Sequence, residues 1–210
     1  MFRFLSTTFF LILWEVVAQL KLDSIMQKLT LEKGIFLVSE PFLPDPNFKR
    51  TVVLLTEHDE DGSIGFVLNR KTNLVLNDVL EDFPEFPAPL YMGGPVEQNT
   101  LHYVHLAHHN IPGSKPVLPG LNWGGDFEII KELVASGVMH LNDIRFFIGY
   151  SGWSVAQLEA EMDEKAWILS PADSAMVMQE PDSDLWKEVL SKMGQQFKLM
   201  ANYPDDPRLN

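Results

Sequence analysis

Runs of apolar and β-branched residues, separated by turns that contain glycine or proline, recur along the first half of the chain. Such short runs predict buried strands, and two of them flank an acidic turn at Gly62 as in a β-hairpin. The strands predicted in this half are 34–39, 51–56, 63–69 and 101–106. Between them, apolar residues at helical spacing predict a helix over 74–83, which stops before Pro84.

The second half of the chain mixes strand-like and helix-like segments. One apolar face predicts a helix over 124–136, with Gly137 as its C-terminal cap. Strands are predicted over 144–148 and 165–169, and a long helix with an apolar stripe over 183–200. Helices and strands follow one another without strict βαβ alternation, so the pattern indicates an α+β fold with a mixed sheet.

The block 149–153 (GYSGW) follows the predicted strand 144–148 and precedes a predicted helix that opens at Ser154. A strand, a glycine-flanked turn and a capped helix together form a common place for a functional site. A nucleophilic serine at such a turn needs a second glycine where this chain has Trp153. Because an indole would crowd the tight bend, the pattern argues against a serine-hydrolase elbow at Ser151.

The chain is acidic, with a formal net charge of −13, and residues 155–185 supply −7 of it from eight acidic side chains and one lysine. Its densest basic spot is the pair Lys49 and Arg50. Duplex binding relies on lysine and arginine to neutralise phosphates, so direct nucleic-acid binding is not expected. An acidic surface is more often a solvated face than a patch that recruits a basic partner. The absence of cysteine removes disulfides, thiolate metal sites and cysteine nucleophiles.

Four histidines, His102, His105, His108 and His109, are the most conspicuous metal-ligand candidates in the sequence. On a helix their spacing would align them, but the segment is predicted as a strand followed by a loop. On a strand His102 and His105 point to opposite faces. No carboxylate close in sequence completes a ligand set, so no metal and no cofactor are predicted.

Several residues that favour a binding pocket fall at predicted strand ends, where glycines permit close approach of a ligand or of another backbone. The candidate ligand-binding residues are His58, Asn69, Gly93, Gly94, Tyr150 and Trp153. The alternative is that the glycines only permit turns and that Trp153 belongs to the core. Glu57 and His58 are neighbours on a strand and face opposite ways, so no catalytic residue is assigned.

The first 25 residues contain an apolar stretch of six residues, 9–14, preceded by Arg3. This outline resembles a secretory signal, although Glu15 interrupts it, and it is too short to span a membrane. We expect residues 1–25 to be an extension with the true start at Met26; a signal and a docked amphipathic helix are the alternatives. Residues 26–210 are predicted to form a single domain.

Four blocks of the chain, in their order and spacing, resemble the YqgE/AlgH family. The blocks are 34–48 (GIFLVSEPFLPDPNF), 51–70 (TVVLLTEHDEDGSIGFVLNR), 91–105 (YMGGPVEQNTLHYVH) and 145–162 (RFFIGYSGWSVAQLEAEM), with Trp167 downstream. The resemblance implies an α+β fold with a bifurcated sheet, folded into a pseudo-barrel with flanking helices, in a cytoplasmic bacterial protein. It implies no secure catalytic residue. Some members carry the label of transcriptional regulator, but this chain shows no basic face and no obvious recognition helix.

Three functional hypotheses remain in competition. The leading one is a non-enzymatic protein that binds a small molecule or a protein partner near the six candidate residues. A transcriptional regulator that acts through protein contacts, without direct nucleic-acid binding, is an alternative. Another alternative is a hydrolase or isomerase that uses Glu57, His58 or Ser151, which requires at least two of these groups to converge within hydrogen-bond reach.

Overall fold

The computed structural model describes residues 29–179 and 184–204, and the extension predicted over 1–25 lies outside these described residues. The strands are β1 (Ile35–Ser39), β2 (Val52–Asp59), β3 (Gly62–Val67), β4 (Lys71–Val75), β5 (Pro89–Met92), β6 (Val96–Leu106), β7 (Lys115–Leu118), β8 (Leu121–Trp123), β9 (Ile144–Trp153) and β10 (Trp167–Pro171). The α-helices are α1 (Phe127–Ala135), α2 (Gln157–Asp163), α3 (Ser174–Met178), α4 (Leu185–Lys192) and α5 (Gln195–Met200), and 3₁₀ helices cover Leu76–Asp78, Ala107–His109 and Leu141–Asp143. No helix within the two described ranges is long and apolar enough to cross a bilayer.

The sheet is mixed and branches at β9, which confirms the α+β class. Its main path runs β10–β1–β2–β3–β9–β6–β8–β7. Residues 146–148 of β9 lie between β6, which is antiparallel, and β5, which is parallel, while residues 151–153 pair with β3. β4 extends the branch by pairing with β5. The terminal strands of the main path, β10 and β7, are not paired with each other among the described residues, so the sheet is not closed.

β1 is buried at every position because both faces of this part of the sheet are covered. Phe36 points into one hydrophobic cluster, which contains Trp186 of α4. Its neighbour Leu37 points into another, which contains Leu158 of α2. A further cluster lies beneath α1, where Ile130 is fully buried. The helices therefore flank a sheet that carries apolar residues on both sides.

The helix predicted over 74–83 is wrong. β4 runs into this segment, and only the 3₁₀ helix Leu76–Asp78 follows it. The Asn77 side chain donates to the carbonyl of Pro84 at 3.0 Å and accepts from the backbone N–H of Phe86 at 2.8 Å. Side-chain bonds of this kind offer the backbone an alternative to a helix. In addition, β5 provides a strand partner that the local pattern does not reveal.

The turn predicted at the block 149–153 is also wrong, because the block belongs to a strand. β9 continues without interruption to Trp153, and α2 begins only at Gln157. Gly149 has a φ of +63°, and a Cβ on it would lie 2.6 Å from the carbonyl oxygen of Val96. This glycine lets β9 bend between its pairing with β5 and its pairing with β3.

The helix predicted over 183–200 is divided into α4 and α5. Gly194 separates them with a φ of +111°, a conformation that cannot continue an α-helix. Asp184 caps the first helix by accepting from the backbone N–H of Lys187. The apolar stripe still reaches the core, since Trp186 and Val189 are buried there.

Candidate functional site

A cleft of about 450 Å³ opens between the β2–β3 hairpin and the end of β9. It forms here because the sheet register pairs Ser63 with Trp153 and Ile64 with Gly152 at the point where β9 leaves β5 for β3. The residues that line it are Glu57, Asp59, Asp61, Gly62, Ser63, Ile64, Val96, Tyr150, Gly152 and Trp153. Carboxylates and the half-buried ring of Tyr150 therefore share one open depression.

The carboxylates of the cleft come from the hairpin and lie on its solvent side. Asp59 and Asp61 are exposed, and Asp59 accepts a hydrogen bond from the backbone N–H of Asp61 at 2.9 Å. Glu57 accepts a hydrogen bond from Lys115 Nζ at 2.8 Å. The same ammonium lies 5.1 Å from the ring centroid of Trp123. The hairpin edge of the cleft carries exposed carboxylates, and beside the cleft one ammonium lies between a carboxylate and an aromatic ring.

Trp153 forms part of the wall and is held by a carboxylate from α2. Glu161 Oε2 accepts from the indole Nε1 of Trp153 at 2.9 Å and from that of Trp167 at 2.8 Å. Its other oxygen accepts from Gln157 Nε2 at 3.0 Å. The Trp153 ring also stacks on Phe48, with the centroids 6.1 Å apart. These contacts fix the orientation of the indole, which is 5% exposed.

We expect the substitution Glu161→Ala to lower the free energy of unfolding by about 2 kcal/mol or more, because it removes the acceptor of two buried indole N–H groups. The measurement is urea denaturation followed by circular dichroism. Glu161→Gln keeps one acceptor oxygen and should cost less. Glu164→Ala, at an exposed position after the same helix, is the matched control. Equal midpoints for Glu161→Ala and Glu164→Ala would contradict a role for the shared carboxylate.

Two of the six candidate residues, Tyr150 and Trp153, line this cleft, and His58 lies beside it. His58 Nδ1 is hydrogen-bonded with Ser63 Oγ at 2.8 Å, and Ser63 is itself a lining residue. The other imidazole nitrogen is 3.9 Å from a carboxylate oxygen of Glu159. The structure thus brings these three candidates to one region.

The remaining candidates lie elsewhere in the sheet. Asn69 links neighbouring backbone segments, accepting from the N–H of Val52 at 3.0 Å and donating to the carbonyl of Arg50 at 2.8 Å. Gly93 packs against β9, with its N–H bonded to a β9 carbonyl at 2.9 Å. Gly94 lines a separate cavity of about 170 Å³ that also contains Arg70.

The groups considered for catalysis are each bound to a different partner. Ser151 is fully buried, and its hydroxyl donates to the carbonyl of Gly93 at 3.0 Å. His58 contacts Ser63, and Glu57 contacts Lys115. Glu57, His58 and Ser151 are therefore not hydrogen-bonded to one another.

The four histidines divide into two pairs. His102 Nε2 is hydrogen-bonded with Thr100 Oγ1 at 2.9 Å, and both ring nitrogens of His105 lie 3.1 Å from backbone carbonyls, those of Leu106 and Gly124. Burial lowers the pKa of His102. Burial also lowers the pKa of His105, although its two backbone hydrogen bonds oppose the shift. Both histidines are therefore held within the sheet.

The second pair, His108 and His109, lies beside a carboxylate that sequence spacing does not reveal. His109 Nε2 is 3.4 Å from Asp143 Oδ2, and each of the three residues places a potential ligand atom within 4.8 Å of the others. Asp143 is distant in sequence, and the pairing of β6 with β9 brings it to the histidines. The sequence alone does not give the register of β6 against β9, and this register is what places Asp143 beside His108 and His109.

Comparisons of the sequence with known proteins point to one family. A family model described as AlgH-like matches residues 36–198. A UPF0301 protein of Cytophaga hutchinsonii is 44% identical over 182 residues, covering 86% of this chain and 100% of the relative. One of Chlorobium luteolum is 42% identical over 180 residues, covering 86% and 95%.

Two solved structures are similar to this chain in fold. The solution structure of the AlgH protein of Pseudomonas aeruginosa has a TM-score of 0.65 at 27% identity, covering 84% of this chain and 97% of that one. A crystal structure of a Corynebacterium diphtheriae protein has a TM-score of 0.70 at 23% identity, covering 83% and 94%, and shows the fold alone.

Proposed function

The chain belongs to the AlgH-like family, and we propose that it is a binding protein whose cleft beside the β2–β3 hairpin accepts a positively charged group of a protein partner. The observation that carries the proposal is the juxtaposition of the exposed carboxylates Asp59 and Asp61 with the half-buried aromatic ring of Tyr150 in one cleft. An ammonium or guanidinium group is attracted both by carboxylates and by the faces of aromatic rings.

The contacts of Lys115 support this choice of ligand chemistry. Its ammonium bonds Glu57 at 2.8 Å and lies near the face of Trp123, so the chain's own cation uses the type of environment that the cleft offers. Asp59 and Asp61 remain exposed at the same edge. The net charge of −13 would further attract a basic partner over longer range.

The proposal is a binding function rather than the hydrolase or isomerase alternative, because that alternative needs two of Glu57, His58 and Ser151 to converge, and no two of them are hydrogen-bonded to each other. An open cleft with acidic edges suits a side chain presented on a protein surface. A regulator of transcription that acts through protein contacts would use the same cleft. We also propose a cytoplasmic location, which the family resemblance supports.

Binding should be measured with an N-terminally acetylated tripeptide amide that contains two lysines, by following the amide signals of Gly62 and Gly152 in NMR titrations. We expect saturable shifts at these two glycines, weaker binding at higher salt, and no shifts with the peptide whose lysines are acetylated. The double substitution Asp59→Asn, Asp61→Asn should weaken binding about fivefold or more, given the usual strength of exposed ion pairs.

The matched control is Glu128→Gln, Glu132→Gln, which changes the net charge equally at exposed positions on α1. If both double variants lose affinity to the same extent, the attraction comes from overall charge and the proposed cleft is not the site. Shifts that also occur with the lysine-acetylated peptide would likewise reject the proposed recognition of a cation.

A further inference from the structure

We propose that His108, His109 and Asp143 form a binding site for a divalent transition-metal ion. The site is separate from the cleft described above, and it does not depend on the function proposed there. Two imidazoles and one carboxylate converge where β6 ends and β9 begins, with one potential ligand atom from each within 4.8 Å of the others.

The fold builds this convergence from two short 3₁₀ helices. β6 and β9 are antiparallel, and their register pairs His105 with Ile144. The 3₁₀ helix Ala107–His109 directly follows β6, and the 3₁₀ helix Leu141–Asp143 directly precedes β9. His108 and His109, at the end of the first turn, therefore lie beside Asp143, at the end of the second turn, where both turns adjoin paired strands of the sheet.

The separation between the ligand atoms fits a shared ion. His109 Nε2 and Asp143 Oδ2 are 3.4 Å apart. Two ligands bound at about 2.0–2.2 Å to a tetrahedral zinc ion are separated by about 3.4 Å. A direct charge-assisted hydrogen bond would be shorter, at about 2.7–2.9 Å. The side chain of His108 is exposed and therefore free of the core packing that would prevent a small rotation toward the ion.

The environment of His109 is a second observation that points to a ligand. Its side chain is 4% exposed, yet its Nε2 atom has no hydrogen-bond partner and is directed toward the Asp143 carboxylate. An unsatisfied buried nitrogen is costly, and coordination would satisfy it. The carboxylate is already oriented, because Asp143 Oδ2 accepts from the backbone N–H of His140 at 2.8 Å. Such outer hydrogen bonds position metal ligands.

The donor set defines the class of ion. Imidazole nitrogens favour zinc and neighbouring first-row metals over magnesium and calcium, which prefer oxygen ligands. Three protein ligands leave a fourth position for water or an exchangeable ligand, as in zinc sites that are open on one side. We therefore name Zn²⁺ as the probe ion and Co²⁺ as its spectroscopic substitute.

The test is calorimetric titration of the chelator-treated full chain with Zn²⁺, followed by absorption spectra with Co²⁺. We expect one ion per chain and a Co²⁺ spectrum with the intense visible bands of low coordination number. His108→Ala and Asp143→Asn should each weaken Zn²⁺ binding at least about tenfold. Both variants should fold, because His108 is exposed and asparagine retains an oxygen for the His140 N–H.

His58→Ala is the matched control, since it removes a histidine elsewhere in the sheet and should leave Zn²⁺ affinity unchanged. A wild-type chain that shows no saturable Zn²⁺ binding would overturn the proposal. Equal affinity in the wild type, His108→Ala and Asp143→Asn would also overturn it, because the ion would then be held by other residues. A His109–Asp143 ion pair without a metal function would give the first of these results.

Discussion

An alanine at Gly93 is expected to lower the free energy of unfolding by about 3 kcal/mol or more and to leave little folded protein. The added Cβ would lie 2.3 Å from the carbonyl oxygen of Gly149, and 3.0 Å from atoms of both Phe147 and Phe66. These neighbours are β9 backbone and core side chains, which cannot move without separating β5 from β9. The measurement is urea denaturation of the purified variant, together with its soluble yield.

Gly152→Ala provides the control for this prediction, because its Cβ would meet side chains only. Its nearest neighbours would be two ring atoms of Tyr150, at 3.1 and 3.6 Å, and Val96 Cγ2 at 3.7 Å. A ring edge facing a cleft can shift by a few tenths of an ångström, so we expect a loss below about 1 kcal/mol. Similar losses in both variants would show that the contact between Gly93 and Gly149 is not the cause.

Arg145→Met is expected to lower the free energy of unfolding by about 3 kcal/mol or more. The guanidinium is buried, donates to the carbonyls of Leu68 and Val177, and lies 3.8 Å from the ring centroid of Tyr91. Methionine fills a similar volume but leaves both buried carbonyls without this donor. It also removes the cation–π contact, so the loss should exceed that of an ordinary core substitution. Urea denaturation again measures the effect.

The variant Arg145→Lys distinguishes the contribution of the positive charge to stability from the contribution of the planar, forked guanidinium. Lysine keeps a cation but cannot reproduce the fork that reaches two carbonyls at once, so we expect an intermediate loss. Lys187→Met, in an exposed pair on α4, is the surface control and should change stability little. If Arg145→Met were as stable as Lys187→Met, the buried guanidinium would not hold these segments together.

The sequence correctly predicts those parts of the fold that are determined by residues close to one another in the chain. The turn of the β2–β3 hairpin leads into Gly62, where β3 begins. α1 ends just before Gly137, which adopts a φ of +71°. Both depend on a few neighbouring residues, and both are found as predicted. The family resemblance is confirmed as well, because it depends on four ordered blocks rather than on any one pattern.

The parts that sequence misses depend on pairing between distant segments. Helical spacing over 74–83 is outweighed by the partner strand β5, and the block at 149–153 is a strand because β3 pairs with it. The same reason applies to the sites. Glu161 joins two tryptophans from different strands, and Asp143 reaches His109 through the β6–β9 register. None of these contacts has a local signature.

The candidate ligand residues lie near strand ends, and the structure groups only part of the set around one cleft. Tyr150 and Trp153 both line the cleft because the last residues of β9 form one side of it. Asn69 and Gly93 also lie at strand ends, but the sheet uses them for its own backbone contacts. A strand end indicates where a pocket can form, whereas the neighbouring strands decide whether space remains.

The branching of the sheet at β9 determines when the protein can fold during synthesis. β3, β5 and β6 all leave the ribosome before β9. Each can pair along one edge with an earlier-formed neighbour, β2, β4 or β8, but its other edge lacks its partner until β9 emerges. β1 must wait even longer for β10. Because these pairings join distant parts of the chain, folding is expected to be slow and to be completed only near the end of translation. Until then the nascent chain exposes open strand edges, which makes it a natural client for chaperones that shield them.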